Sequence, residues 1–353
     1  MRIVKVGIYR QHLGGLHKGY LDRYAEILKY NGIEYFWLDA SSPSFWDEVS
    51  HLDLFIYQWE HYDGPRQIAE AIMPVIENEL KIPCFPNSKT CWHFDDKIKQ
   101  YYLLRQDGFP IIECYIFWEK DEALKLLASA KMPVVFKLKR GAGSSNVILV
   151  RKKQQAKRLI SKMFGKGLKS GRIADRNSLW LKYFQPYREL RRFGGDILRK
   201  ARGEFNPLFW QVDKNYVLFQ RYLPDNPFDI RVSVIGERAF AFRRFNRESD
   251  FRASGSGKID YDTAEIDKRA IEMAFKISKQ LGFQSMAYDF LKNEKNDLEI
   301  CEISYTYVDS AVYNCAGYWD RDLNRHEGHF WPQYAVLVDC LKMPELRQPA
   351  LSH

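Results

Sequence analysis

"VVFKLKRGAGSSNVILV", residues 134 to 150, runs from one strand-forming stretch into a turn of small residues and out into another. It reads as a β-hairpin, with Lys137 in its first strand and Gly141, Gly143 and Ser144 at its turn. Glycine lets the backbone take positive φ there and approach a ligand closely. Successive amide N–H groups in such a turn make a concavity that suits an anion. Two common phosphate loops do not fit. A P-loop needs G-x-x-x-x-G-K-[ST]; the nearest approach, Gly257-Lys258, has Arg252 in place of the first glycine and Ile259 in place of the hydroxyl. A dinucleotide fingerprint opens a helix, whereas here Asn146 takes the third glycine position and a strand follows. Two readings stay open on this segment alone: a Gly-rich hairpin covering the phosphates of a nucleotide, and an ordinary hairpin with a small-residue turn.

The chain has 353 residues, 46% of them apolar, enough for two or three packed layers and two domains. No apolar run reaches the roughly 18 residues of a membrane span. Arg2 and Lys5 lead straight into an alternating strand, with no signal peptide. Six cysteines, at 84, 91, 114, 301, 315 and 340, form no C-x-x-C pair, which suggests reduced thiols, a cytoplasmic location and no metal cage. His326 and His329 flank Glu327, but a zinc site needs further ligands, and the trio reads as a surface polar cluster.

The net charge of +9 is concentrated. Residues 151 to 202 hold seventeen Lys or Arg against three Asp or Glu, a local +14 that leaves the rest of the chain at −5. Trp180, Tyr183, Phe184, Tyr187 and Phe193 lie among those cations. Such a segment suits an anionic membrane surface, a nucleic acid or an anionic soluble substrate. It also suits a solvated helix whose arginine stems cover apolar surface.

Along the chain, residues 3 to 9, "IEYFWLD" and "LDLFIYQW" read as strands, with helices near 19 to 30 and 66 to 80. This alternation predicts a small parallel α/β domain, bounded by Pro83 and Pro86. A helix from about 95 to 106 and another strand precede the hairpin. The basic stretch has no regular alternation and reads as an insertion or subdomain. From 216, "YVLFQRYL", "DIRVSVIG" and "RAFAFRRF", a helix over 263 to 281, "SMAYDFL" and "LEICEIS" predict an antiparallel sheet in an α+β domain. Three parts are expected: 1–86, an N-terminal α/β domain; 87–215, with the Gly-rich hairpin and the basic insertion; and 216–353, with the acids.

Those acids lie on the last two strands. A polar turn, "KNEKND", joins them, and a turn centred between Glu294 and Lys295 puts Asp289 opposite Ile300 and diagonal to Glu302, on one face. Diagonal neighbours lie about 7–8 Å apart. Two carboxylates there are costly unless a cation joins them, and Mg²⁺ takes one or two carboxylates together with phosphate oxygens. The other reading is a pair of solvated acids salted by nearby lysines.

The order of elements resembles the ATP-grasp superfamily: a Gly-rich hairpin with a lysine, then Q-R-Y-L, D-I-R and D-F-R, then an acid on each of two final strands. The resemblance runs from about 83 to 305, with the preceding α/β piece matching the usual pre-ATP-grasp domain. It looks most like the RimK-like carboxylate–amine ligases, and among them a subgroup encoded with capsule and other surface-polysaccharide genes, on "NSKTCWHFDDKIKQYYLL" and "FKLKRGAGSSNV". The resemblance implies ATP and Mg²⁺ as cofactors. It gives Lys97 and Lys137 the two ATP-lysine roles, and Gly141, Gly143 and Ser144 the loop over the β- and γ-phosphates. Gln220, Arg221, Tyr222 and Leu223 match the hinge that reads adenine, and Asp229 the acid on the ribose. Arg231 and Arg252 match basic positions near the transferred phosphate, and Asp289, Glu302 and Ser304 the metal ligands. The family pattern ends E-x-N; here it ends Glu302-Ile303-Ser304, and a serine hydroxyl is a shorter and weaker ligand.

The implied reaction is ADP-forming ligation: ATP phosphorylates a carboxylate and an amine attacks the acyl-phosphate. Phosphoryl transfer rests on positioning and on cations that neutralise developing charge, which Lys97, Lys137, Arg252 and acid-held Mg²⁺ would supply. The expected acceptor is a small-molecule or glycan carboxylate such as a uronic acid, lipid- or nucleotide-linked, with an amino acid or amine as donor and Arg191 and Arg192 as substrate contacts. A peripheral contact of 151–202 with an anionic membrane at its cytoplasmic face is a further expectation. Two alternatives are a RimK-like modifier of a protein or ribosome-associated target, and an ATP-binding protein without turnover. No RNA-binding motif is recognisable among the basic and aromatic residues. The aromatic stretch 305 to 341 is expected either to line an acceptor pocket or to pack as a core tail ending in a helix near 332 to 342.

Overall fold

The strand Lys5–Tyr9 pairs in parallel with Glu34–Leu38 on one side and with Leu54–Ile56 on the other, and Leu54–Ile56 pairs in parallel with Cys84–Phe85. Val6, Ile8, Leu54, Phe55 and Ile56 are buried, as the central strands of a parallel sheet must be. Helices Tyr20–Tyr30 and Asp63–Pro74 make the connections. The strand order reverses direction between Lys5–Tyr9 and Leu54–Ile56; such a switch point opens a crevice at the carboxyl ends of the strands. A computed structural model describes residues 3–10, 19–61, 63–141, 146–169, 212–248 and 250–350.

The chain forms two compact units, 1–112 together with 223–353, and 113–222. In the larger unit a seven-stranded sheet follows the parallel one. Phe228–Ile235 turns through Gly236-Glu237 into Arg238–Phe245, and Gly236 takes φ +55°. Phe228–Ile235 also pairs antiparallel with Ser285–Lys292, which pairs with the edge strand Leu298–Ser304. One face buries Ile230, Val232, Met286 and Tyr288 against Ala270, Ile271, Ala274 and Ile277 of helix Lys268–Leu281. That helix starts at 268 and not at the expected 263. The Asp267 side chain accepts the Arg269 N–H as its cap, and Thr263–Glu265 forms a separate 3₁₀ turn capped by Asp262. On the other face Phe240, Phe242 and Ala287 join a core with Tyr24 and Leu28 of helix Tyr20–Tyr30 and Ala335, Val336 and Leu337 of helix Pro332–Leu341. The remaining half of that face carries the charges.

In the smaller unit the strand order is Cys114–Phe117, Val217–Arg221, Val134–Lys137, Val147–Val150, all antiparallel. The hairpin read from the sequence is present: Val134 pairs with Val150 and Lys137 with Val147. Val217–Arg221, grouped by the sequence reading with the residues after 216, completes this sheet. Helices Lys120–Ser129 and Lys153–Met163 are packed together.

Burial bears on the aromatic stretch, and hydrogen bonding on the two histidines. Tyr305, Tyr307, Trp319 and Trp331 are buried, and the helix Pro332–Leu341 follows them, so these aromatics pack as core. The two histidines go separate ways: His326 Nε2 lies 2.7 Å from Asp320, and His329 Nδ1 2.8 Å from the Tyr313 carbonyl. No helix among the described residues is long and apolar enough to cross a membrane. Trp180 to Phe193, with Arg191 and Arg192, lie outside the described residues.

Candidate active site

The turn at 293–297 pairs Lys292 with Leu298, Leu291 with Glu299 and Phe290 with Ile300. The register then shifts, and Asp289 pairs directly with Glu302. The expected register, with Asp289 opposite Ile300 and Glu302 on the diagonal, is therefore corrected twice: the turn is centred on Lys295 itself, and a bulge at Cys301 adds one further residue. The cause is hydrophobic. Ile300 and Ile303 are both buried in the helix-backed core, yet residues three apart in a regular strand point to opposite faces. One extra residue buries both and keeps Glu302 beside Asp289. Directly opposed side chains have Cβ atoms about 4.5–5.5 Å apart, closer than the diagonal expected.

Asp289 is gripped by two guanidinium groups. Arg231, its partner on the neighbouring strand, donates through Nε to Oδ1 at 2.7 Å and through Nη2 to Oδ2 at 2.8 Å. Arg244 Nη2 lies 2.7 Å from the same Oδ2. Arg244 also clasps Asp229 at 2.7 and 2.6 Å. Asp229, Arg244 and Asp289 are all buried. Burial alone would raise the Asp289 carboxyl, but Arg231 and Arg244 outweigh it and hold it well below the usual carboxylate range. Asp229 is raised, by burial first and by the charge of Asp289, against the pull of Arg244. Arg244 was not among the residues read from the sequence. The signal for it is the two-residue turn Gly236-Glu237: pairing Ile235 with Arg238 and counting back sets Asp229 opposite Arg244.

Glu302 faces a different cation. Lys97 opens the helix Lys97–Gln106, whose cap Asp96 accepts the Ile98 and Lys99 N–H groups at 3.1 Å. Lys97 Nζ lies 3.0 Å from Glu302 Oε1, and the Glu302 side chain is 34% exposed. Burial would lower the Lys97 ammonium, yet Glu302 and Asp95 hold it above its usual value. Ser304, on the same face, donates to the Thr306 carbonyl at 2.8 Å and accepts the Thr306 N–H at 3.2 Å. Arg252 lies in a loop, bound to Asp250 at 2.6 Å.

Among the described residues no group of three or more His, Cys, Asp or Glu is placed to hold a metal. Two opposed carboxylates nevertheless fit Mg²⁺, which completes its shell with phosphate oxygens and water. Each acid already has cationic partners, so the metal would take the place of like charge. Ser304 fits less well, because its proton and one lone pair are engaged by Thr306.

In the smaller unit Lys137 is buried in its strand. Gly141 has φ +110°, a conformation that disfavours any side chain; Gly143 and Ser144 lie outside the described residues. Gln220 is buried and its side-chain amide lies 3.6 Å from Cys114 Sγ. The Arg221 N–H donates to the Glu113 carbonyl at 2.9 Å, so that amide is committed within the unit. Tyr222 closes this unit, and Leu223, which is buried, begins the next stretch of the larger one.

The model of the RimK-like ATP-grasp domain family matches residues 94–177 and 197–308. The chain belongs to the RimK-like ATP-grasp family. With it the chain joins the ATP-grasp ligases that form C–N bonds, and the ATP-grasp fold accounts for its parallel N-terminal sheet and antiparallel sheets. A RimK domain ATP-grasp protein from Sphaerobacter thermophilus has a similar structure, with TM-score 0.51 and 13% identity over 87% of this chain and 93% of that one. N5-carboxyaminoimidazole ribonucleotide synthetase from Thermotoga maritima gives TM-score 0.57 and 13% identity over 97% and 76%. The macrocyclase MdnC from Microcystis aeruginosa, bound with its precursor peptide, gives 0.55 and 11% over 96% and 100%. No curated protein matches the chain.

Proposed function

We propose that the protein joins a carboxylate to an amine, with ATP converted to ADP through an acyl-phosphate. The observation that carries this reading is the opposed pair Asp289–Glu302, ringed by Arg231, Arg244 and Lys97. It is a compact set of fixed cations beside two acids, which is what transfer of a phosphoryl group to a carboxylate requires. Bound Mg²⁺ would neutralise charge on the phosphates, held by Asp289 and Glu302. Lys97 would turn from Glu302 to the phosphate and acyl oxygens, while Arg231 and Arg244, which stay on Asp289, would present their remaining N–H groups to them. Arg252 takes the basic role beside them, and Asp229 holds Arg244 in place more directly than it meets a ribose. In the smaller unit the nucleotide roles fall to Lys137, Gly141, Gly143, Ser144 and the run Gln220–Tyr222.

For the acceptor we retain an anionic sugar carboxylate of the uronic-acid class, met by the basic and aromatic residues around Arg191 and Arg192. The support is that the family match breaks between 177 and 197, so Arg191 and Arg192 fall outside the matched pattern, and that the stretch 151 to 202 carries a local charge of +14, which suits an anionic acceptor. A second reading, a peptide carboxylate, has its support in the precursor peptide bound by the similar MdnC. Incubation with ATP, Mg²⁺ and hydroxylamine tests both, with uronic acids in one pool and peptides in the other. A hydroxamate with ADP, lost in Glu302→Ala, is the expected result, and the productive pool names the acceptor class. AMP in place of ADP, or no hydroxamate from either pool, overturns the ligase reading.

A further inference from the structure

The switch point of the parallel sheet carries a group of residues that the phosphate chemistry leaves unused. The chain leaves Leu54–Ile56 through Tyr57, Gln58, Trp59, Glu60 and His61, at the carboxyl edge where ligands enter α/β sheets. Glu60 is 2% exposed. His61 Nδ1 lies 3.3 Å from Asp95 Oδ1, and its ring lies 5.1 Å from that of Phe94. Asp95 sits at φ +51°, a backbone conformation uncommon outside glycine, two residues before Lys97 and its ion pair with Glu302. The neighbouring Trp59 is 6% exposed, and its indole N–H has no acceptor among the described residues. A buried donor without a partner among the described residues calls for an acceptor from outside them. A line of polar groups thus runs from Glu60 through His61 and Asp95 to Lys97 and Glu302, all within the larger unit.

We infer that this edge is the site of the amine substrate, and that Glu60 receives the ammonium and takes its proton. The inference rests on the ligase reading above and supplies what that reading lacks. An amine reaches the enzyme as R–NH₃⁺, which has no lone pair for attack. Transfer of one proton gives R–NH₂ and the Glu60 carboxylic acid. The amine nitrogen then forms its bond to the acyl carbon as the carbon–oxygen bond to phosphate breaks. The second nitrogen proton leaves with phosphate as HPO₄²⁻, and Glu60 returns its proton to water, one per turnover. His61, held by Asp95, positions and tunes Glu60. Burial is the main reason the Glu60 carboxyl is pushed up to about 7, with His61 pulling it down, which suits proton exchange near neutrality. His61 is itself raised: burial opposes its charge, but its bond to Asp95 prevails. The other titratable groups at this edge are Tyr57, whose ring lies 4.7 Å from that of Tyr9, and Tyr305, whose hydroxyl accepts the Trp59 main-chain N–H at 2.7 Å. Burial pushes all three tyrosines up, so they stay neutral where Glu60 titrates.

Two nucleophiles separate this role from the phosphoryl chemistry. Hydroxylamine is largely uncharged at neutral pH and needs no proton acceptor to attack, whereas methylamine arrives protonated. With the productive carboxylate pool, Glu60→Gln should cut methylamide formation about 100-fold and leave hydroxamate formation unchanged. The acidic limb of the methylamide pH profile, near 7 in the parent protein, should vanish in Glu60→Gln and move to higher pH in His61→Asn, where the nearby cation is gone. Unchanged hydroxamate formation also reports that both variants fold. Equal loss of both products, or an acidic limb that survives in Glu60→Gln, overturns the inference. A parent protein that forms no hydroxamate overturns the ligase reading itself, and with it this one.

Discussion

Asp289 and Glu302 face each other across two strands, yet they live in different electrostatic worlds. The Asp289 side chain is 10% exposed and held by two guanidinium groups, while Glu302 is 34% exposed and shares one ammonium. Removing one partner of a buried pair leaves uncompensated charge and costs about 3–5 kcal/mol; at Glu302 the carboxylate is the exposed member, and Asp95 still faces the buried Lys97 ammonium when Glu302 is removed. Asp289 is therefore tied to the fold, and Glu302 is free to exchange its partner during a reaction. The sharpest way to break the comparison is alanine at each position. Asp289→Ala should lose about 3–5 kcal/mol in urea unfolding, and Glu302→Ala about 1–2 kcal/mol, since Asp95 remains beside Lys97. Similar losses would mean that Asp95 does not compensate the buried Lys97 ammonium once Glu302 is gone.

Activity should reverse that ranking. Glu302→Gln keeps the size of the side chain and removes its charge, and should lower ATP turnover about 100-fold with folding nearly intact. The acid limb of stability sharpens the same contrast. Arg231 and Arg244 overcome burial and hold the Asp289 carboxyl below its usual value, so on acidification the unfolded chain takes up its proton first. Stability from this group is complete above about pH 4 and lost as pH falls toward the native value. Unfolding midpoints between about pH 2 and 6 should drop less steeply in Asp289→Asn than in the parent protein. A parallel profile would show that Asp289 does not carry the limb.

The sequence made the hairpin, the order of strands and the identity of both acids readable, because each rests on local pattern. Alternation along "MAYDFL" and "LEICEIS" put Asp289 and Glu302 on one face, but it could not count residues through a bulge. Only the shared need to bury Ile300 and Ile303 against the helix places one at Cys301. Arg244 was hidden for another reason. It follows Arg243, and a pair of adjacent arginines in a strand reads as one basic spot until the Gly236-Glu237 turn fixes which of them faces Asp229. Glu60 and His61 could not be read at all, since their setting depends on Asp95, which is distant in sequence.

Arg244 and Arg252 offer a milder comparison. Arg244→Lys replaces a planar fork that bridges Asp229 and Asp289 with a point charge that cannot, and should cost about 2 kcal/mol of stability. Arg252 contacts Asp250, two residues away in the same loop, so Arg252→Lys should cost under about 1 kcal/mol and register in turnover. Equal stability losses would place Arg252 in the structural network too.

The smallest effect is expected at Ser304, where the chain departs from the family pattern. Its hydroxyl orders a turn by bonding the Thr306 carbonyl and amide. Asparagine forms a comparable turn through its side-chain oxygen, so Ser304→Asn should change stability by no more than about 0.5 kcal/mol. Its value lies in the metal. An amide carbonyl reaches further than a hydroxyl and is a better oxygen ligand for a hard cation. If that side of Glu302 faces Mg²⁺, the variant should reach half-maximal ATP turnover at several-fold lower Mg²⁺. An unchanged requirement would mean that position 304 serves the turn alone and that the metal rests on the two opposed carboxylates.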